Sequence, residues 1–148
     1  SSVADLIKET ELEERIISLF QEQGYLYSIG SDIKRDCLRE VFILEDLGNY
    51  LKKKHPQLIS HDIRVIADEL QLENKSLYEI NREFIQDTLI EGKTYTRDSD
   101  NESFLFKLID FEEPSNNIFR VVNQLVVQEY ETQRVDLVIY INGIPYVV

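Results

Sequence analysis

Through roughly the first ninety residues, apolar side chains recur three and four positions apart; after Gly92 they recur every second position. The first spacing predicts helices and the second predicts strands. Residues 3 to 23 carry Leu12, Ile16, Leu19 and Phe20 as one stripe, with Ile17 at its edge, and Gly24 follows as a helix-ending glycine. Tyr25 to Ile29 reads as a short strand, and Gly30-Ser31-Asp32 as a loop and helix cap. Ile33, Cys37, Leu38, Val41, Phe42, Leu44, Leu47 and Leu51 predict a helix over 33–54, with a break near Gly48-Asn49. The run Lys52-Lys53-Lys54-His55 closes it and Pro56 prevents continuation. Ser60 is expected to cap a helix to about Leu72, with Ile63, Ile66, Ala67 and Leu70 on one face. Ser76 and Glu79 form a capping-box pattern for a further helix that Gly92 ends.

Beyond Gly92 the expected strands are Lys93 to Thr96, Phe104 to Phe111 and Phe119 to Tyr130, with polar loops at 97–103 and 112–117. The chain closes on Arg134-Val135-Asp136-Leu137-Val138-Ile139-Tyr140-Ile141, then Asn142-Gly143, then Ile144 to Val148. Asn-Gly between apolar runs is a strong hairpin signal, because a type I′ turn needs positive φ at both central residues. Leu137 to Ile141 are all apolar, so both faces of that strand are expected to be covered. One carboxylate, Asp136, enters this strand. It either pairs with Arg134, two residues away on the same face, or binds a metal ion. Tyr140 shares its face by alternation and reads as core packing.

Composition narrows the picture. At 148 residues, 43% hydrophobic and 30% charged, the chain reads as one domain, 1–148, of a globular protein. No apolar run is long enough to span a bilayer, so no membrane partner is expected. The single cysteine, Cys37, permits no internal disulfide and fits a reducing cytoplasm; it reads as a small buried hydrophobe. His55 and His61 match no zinc spacing and read as surface residues. The net charge of −12 argues against a free-standing nucleic-acid binder, though not against DNA as a substrate delivered by a larger assembly. Lys52 to Lys54 either complement a helix dipole or touch phosphate. Methionine is absent even at position 1, so the chain reads as a trimmed piece of a longer protein.

Arg134-x-Asp136 followed by Asn142-Gly143-x-Pro145 resembles the hairpin of the N-terminal nuclease domain of type I restriction enzyme R subunits. The resemblance extends to Leu108-Ile109-Asp110, Asn116-Asn117-x-Phe119, Val121-Val122-Asn123-Gln124, and Asn81-x-x-Phe84 with Leu89-x-x-Gly92. No one of these landmarks is specific; their order and spacing over the last two thirds of the chain are. The resemblance implies an α/β, restriction-endonuclease-like fold with N-terminal helices packed on a mixed β-sheet. It implies Mg²⁺-dependent endonucleolytic cleavage of double-stranded DNA, with modification and specificity subunits as partners. ATP would serve the parent's motor and not this domain, which has no Gly-x-x-x-x-Gly-Lys loop.

In that family Asp136 would be a catalytic metal ligand, completed by a Glu-x-Lys whose glutamate falls about position 150 and lysine about 152 on the family's spacing, with the lysine on the glutamate's strand face. A first-helix glutamate often assists in nucleases of this class. Glu13 is the candidate, because about 100° per residue places it between Ile17 and Phe20 while Glu11 and Glu14 fall outside the apolar arc. The alternative for Glu13 is a solvated helix face. Val135 departs from the family, which has proline there. The 148-residue piece is expected to cut poorly or not at all by itself, since one fixed carboxylate rarely holds Mg²⁺ firmly. The competing reading is a catalytically inactive module that keeps the nuclease fold for protein or DNA docking.

Overall fold

The computed structural model describes residues 14–15, 17–33, 42–73, 91–126 and 134–147. The described end of the first helix, α1, is helical at 14–15 and 17–22. It stops as expected at Gly24, whose φ of +92° suits a glycine. The Gly24 N–H donates to Gln21 O and the Tyr25 N–H to Phe20 O, which is the Schellman arrangement. Strand β1 (Leu26–Ile29) and a 3₁₀ turn at Gly30–Asp32 follow.

Helix α2 spans Leu44–Lys54 and α3 spans Ser60–Glu73. Their apolar stripes meet: Leu47, Tyr50 and Leu51 from α2 bury with Ile63, Ile66, Ala67 and Leu70 from α3. Three expectations are corrected here. No break occurs at Gly48-Asn49; the helix continues through them, with Gly48 against Ile63. The helix also begins later than the apolar spacing suggests, because Phe42 and Ile43 are not helical and the Ile43 N–H is taken by Gly143 O at 2.8 Å. Nor does Ser60 cap α3. Its first turn is closed by Asp62 Oδ2, which accepts the Ile59 N–H at 2.8 Å. The expected Cys37 environment and the helix expected from Ser76 lie outside the described residues.

Strands β2 (Lys93–Thr96) and β3 (Ser103–Phe106) form an antiparallel ribbon. Tyr95, Phe104 and Phe106 face the helical core, while Leu105 alternates outward. The expected strand to Phe111 therefore ends at Phe106. Beyond it Leu108 is fully buried, but its carbonyl accepts from the Asn142 side chain, and the Asp110 N–H donates to the Asn117 side chain. Side chains take the bonds that a strand partner would have taken.

The second sheet has four strands in the order β1-β4-β5-β6, with β4 at Phe119–Val126, β5 at Arg134–Ile141 and β6 at Ile144–Val147. It is mixed: β1 runs parallel to β4, and the other pairings are antiparallel. The α/β architecture with a mixed sheet is thus the observed one. Val122, Val138 and Tyr140 on one face bury with Ile43, just ahead of α2. Full coverage of both faces of β5 is not observed, since Leu137, Ile139 and Ile141 are only half-buried.

Candidate functional site

Asp136 lies in β5 opposite Gln124 of β4, within a ladder from Phe119↔Ile141 to Val126↔Arg134. Its backbone is two residues from Val138 and four from Tyr140, about 13 Å along the strand from the latter. Tyr140 is core, as expected, at 2% exposure. Glu13 lies outside the described residues. Among the described residues no group of three or more His, Cys, Asp or Glu side chains is placed to hold a metal ion, so they do not by themselves compose a metal centre.

At the other end of β5 the hairpin turn is resolved in detail. Asn142 and Gly143 have φ of +53° and +83°, as a type I′ turn requires. Asn142 is fully buried. Its Oδ1 accepts the Ile118 N–H at 2.7 Å, and its Nδ2 donates to Leu108 O at 2.8 Å and Asn117 Oδ1 at 2.9 Å. Asn117 Nδ2 in turn donates to Asp110 O and Pro114 O. Gly143 lies directly beneath the entrance to α2, where a Cβ would collide with the Ile43 carbonyl oxygen.

Asp110 continues this network. Its Oδ1 accepts the Glu112 and Glu113 N–H groups, and its Oδ2 accepts Asn116 Nδ2 and lies 3.0 Å from Lys54 Nζ. The Glu113 N–H, the Asn116 amide and the Lys54 ammonium, in that order, hold its carboxyl well below the usual range. The landmarks Leu108-Ile109-Asp110, Asn116-Asn117 and Asn142-Gly143, far apart in sequence, therefore form one clamp on the hairpin. Nearby, the buried Tyr50 hydroxyl has no hydrogen-bond partner among the described residues; burial, then the charge of Asp110, push its pKa up to about 12.

The basic run closing α2 is partly spent on structure. Lys54 pairs with Asp110, and Lys53 Nζ donates to Asn116 O at 3.3 Å. His55 is not the simple surface residue expected. Its Nε2 lies 2.9 Å from Leu105 O and its ring meets Phe104 edge-on, tying the end of α2 to β3; His61 is exposed on α3.

Two further buried carboxylates, unmarked by any motif, join the elements. Asp46 of α2 receives Arg120 Nε and Nη2 at 2.8 and 3.1 Å, while Arg120 Nη1 donates to Ser28 Oγ of β1. Asp62 receives Tyr95 Oη and Arg97 Nε and Nη2 as well as the Ile59 N–H. Burial pushes the Asp62 carboxyl up, but the Ile59 N–H, Arg97 and Tyr95 outweigh it and leave it below its ordinary value. The separation of Asp62 from Arg97 in sequence left no local signal for this pair. No helix among the described residues is long and apolar enough to cross a membrane.

The class defined by these features is an α/β domain whose mixed sheet is closed by a clamped hairpin and carries one aspartate strand. Residues 7–148 match the family described as Type I restriction enzyme R protein N terminus, and the chain belongs to that family. It is 26% identical over 160 residues to the type I restriction enzyme HindI endonuclease subunit of Haemophilus influenzae, with 97% of this chain and 15% of that protein covered. A second relative, from Methanocaldococcus jannaschii and provisionally named type I restriction enzyme MjaIXP endonuclease subunit, is 27% identical over 154 residues, covering 96% of this chain and 15% of that protein. The chain thus spans about 15% of the length of these curated relatives.

Proposed function

We propose that this domain is the endonucleolytic part of a type I restriction R subunit, cleaving double-stranded DNA with Mg²⁺. The observation that carries the reading is the family match across residues 7–148. Supporting it, the strand bearing Asp136 is central in the sheet, flanked by β4 and β6. Asp136 is the first metal ligand and catalytic carboxylate in this reading, and Glu13 the second. A bound divalent ion supplies charge neutralisation at the phosphate and an activated water. The chain's own contribution is a hard oxygen ligand on a strand whose register β4 holds and whose hairpin the Asn142 clamp fixes. The nuclease-like fold, the ATP-driven motor of the parent, its modification and specificity subunits and a cytoplasmic setting all belong to this proposal.

The test is cleavage of supercoiled plasmid with Mg²⁺ by the chain extended about 30 residues past Val148, enough at the family spacing to include Glu-x-Lys. It is run beside the same protein carrying Asp136→Ala, and repeated in the assembled restriction complex with ATP. Cleavage in either setting that falls at least about a hundredfold in the variant supports Asp136 as a catalytic ligand. Undiminished cleavage by Asp136→Ala would remove it from the site. Duplex binding without cleavage in both settings would favour the inactive docking module instead.

A further inference from the structure

Asn142-Gly143 is the only Asn-Gly pair in the sequence. The fold fixes each residue for its own reason. Position 142 has a φ of +53°, and its buried side chain offers one acceptor and two donors at once, as a carboxamide can. Position 143 has a φ of +83° and no room for a Cβ beneath the Ile43 carbonyl oxygen. Together they make a dipeptide in which asparagine is easily attacked by its own backbone, because glycine leaves the following nitrogen unshielded and the chain free to turn.

The chemistry is intramolecular. The Gly143 nitrogen bonds to Asn142 Cγ, the Cγ–Nδ2 bond breaks, and Nδ2 leaves as ammonia with the proton that the Gly143 amide gives up. Water then opens the cyclic imide at either carbonyl and leaves an ordinary aspartate or an isoaspartate at 142. One water is consumed and one ammonia released. The folded chain opposes each step. The carboxamide is held by the Ile118 N–H at 2.7 Å, the Leu108 carbonyl at 2.8 Å and Asn117 Oδ1 at 2.9 Å, so expelling Nδ2 breaks two of these bonds. Asn142 is also 0% exposed, which closes the route for ammonia and water alike.

The product cannot rebuild the clamp. A carboxylate has no N–H to give, and it would face the Leu108 carbonyl oxygen and Asn117 Oδ1, both acceptors. Asn117 is not free to turn over, because its Oδ1 also takes the Asp110 N–H and its Nδ2 serves Asp110 O and Pro114 O. An isoaspartate adds a methylene group to the backbone of the turn, next to Gly143 O, which accepts the Ile43 N–H at 2.8 Å.

We propose that Asn142 is a latent deamidation site, shielded by the clamp and uncovered when the hairpin opens, and that its conversion keeps the hairpin from closing again. The turn is then a one-way element: each opening carries a chance of a covalent change that removes the molecule from the folded population. Neither a metal nor DNA takes part, so the cleavage reading can fail without touching this site.

The test follows the native chain and the same chain unfolded in guanidinium chloride, both in mildly alkaline buffer at physiological temperature. The mass gain of each asparagine peptide after digestion, with isoaspartyl methyltransferase labelling, gives the conversion rates. In denaturant Asn142 is expected to convert several-fold faster than Asn101, which precedes Glu102. In the folded chain it is expected to convert at least about tenfold more slowly than in denaturant, and no faster than the exposed Asn101. On dilution from denaturant, the refolded fraction should fall in step with conversion at 142, and the refolded molecules should retain asparagine there. Asn117→Ala removes one partner and should speed conversion in the folded state several-fold. Because that variant could fail to fold, the unmodified chain is also followed in guanidinium below its unfolding midpoint, where the rate should climb as opening becomes more frequent.

Equal rates in the folded and unfolded chains would overturn the proposal, as would an Asn142 no faster than Asn101 in denaturant. Full refolding of chains already converted at 142 would overturn it too, because the clamp would then tolerate the product.

Discussion

Side chains hold the C-terminal end of β5, while at its N-terminal end the described bonds are those of the backbone ladder to β4. At its C-terminal end the turn is buried, and the Asn142 side chain alone satisfies an amide, a carbonyl and a neighbouring carboxamide. At its N-terminal end, Asp136 is placed by the backbone ladder to Gln124. The turn end has chain elements on every side: α2 above Gly143, the 108–118 loop around Asn142, and Lys54 beyond Asp110. Landmarks that accompany a catalytic motif in a family need not be catalytic themselves. Here Asp110, Asn117 and Asn142 are occupied by internal bonds, and their work is to fix the geometry of the strand that carries Asp136.

The largest effect should fall on Gly143. A methyl there would meet the Ile43 carbonyl oxygen and come within 2.8 Å of Leu47 N, at a φ of +83° that disfavours any side chain. Gly143→Ala is expected to cost at least about 3 kcal/mol in urea denaturation, or to prevent folding. Gly24 has a similar φ of +92° but nothing within 4 Å of its Cβ position. Gly24→Ala should therefore cost only about 1 kcal/mol, the conformational penalty alone. Equal losses at both glycines would mean that the closeness of α2 to the turn contributes nothing.

Next in size is Asn142→Ala, which leaves the Leu108 carbonyl and the Ile118 N–H without their side-chain partner. A loss of about 3 kcal/mol is expected from the same denaturation curves. Asp136→Ala is expected to cost less than Asn142→Ala on the same curves and, under the proposed function, to lower cleavage by the extended protein at least about a hundredfold. A stability loss at Asp136 matching that at Asn142 would erase the distinction between the two ends and favour a structural role for the aspartate.

How much of this was legible in the sequence follows from what each signal encodes. The Asn142-Gly143 turn, the Gly24 stop and the stripes of α2 and α3 were legible because each depends on a local backbone requirement or a single period. The end of β3 was not. Leu105 to Ile109 keep a strand-like pattern, but the backbone beyond Phe106 bonds to side chains from residues 117 and 142, and alternation cannot distinguish a ladder from such a clamp. The start of α2 was hidden for a similar reason, since Ile43 is drawn to Gly143, a hundred positions on. The basic run stood out as a local cluster. That one of its lysines answers Asp110 and another faces a cleft depends on tertiary arrangement and has no trace in composition.

The smallest effect near neutral pH, and the one that compares the two halves of the molecule most directly, is the acid response of Asp62 and Asp110. Asp62 lies in the helix-and-ribbon half, and Asp110 in the clamp on the sheet. Both carboxyls are held below their ordinary values in the folded chain. A carboxyl depressed by folding releases its proton more readily in the native state, so the unfolded chain binds more protons as pH falls. The stabilisation is fully present above the unfolded value of about 4 and is lost as pH falls through the folded values. The urea midpoint should therefore be level with respect to these two groups from pH 7 to about 5 and decline below about 4. Asp110→Asn should make that decline shallower, and so should Asp62→Asn. A midpoint rising toward acid would contradict the sign for both. A decline that only Asp62→Asn softens would mean that folding does not depress the Asp110 carboxyl, against the Glu113 N–H, the Asn116 amide and the Lys54 ammonium that surround it.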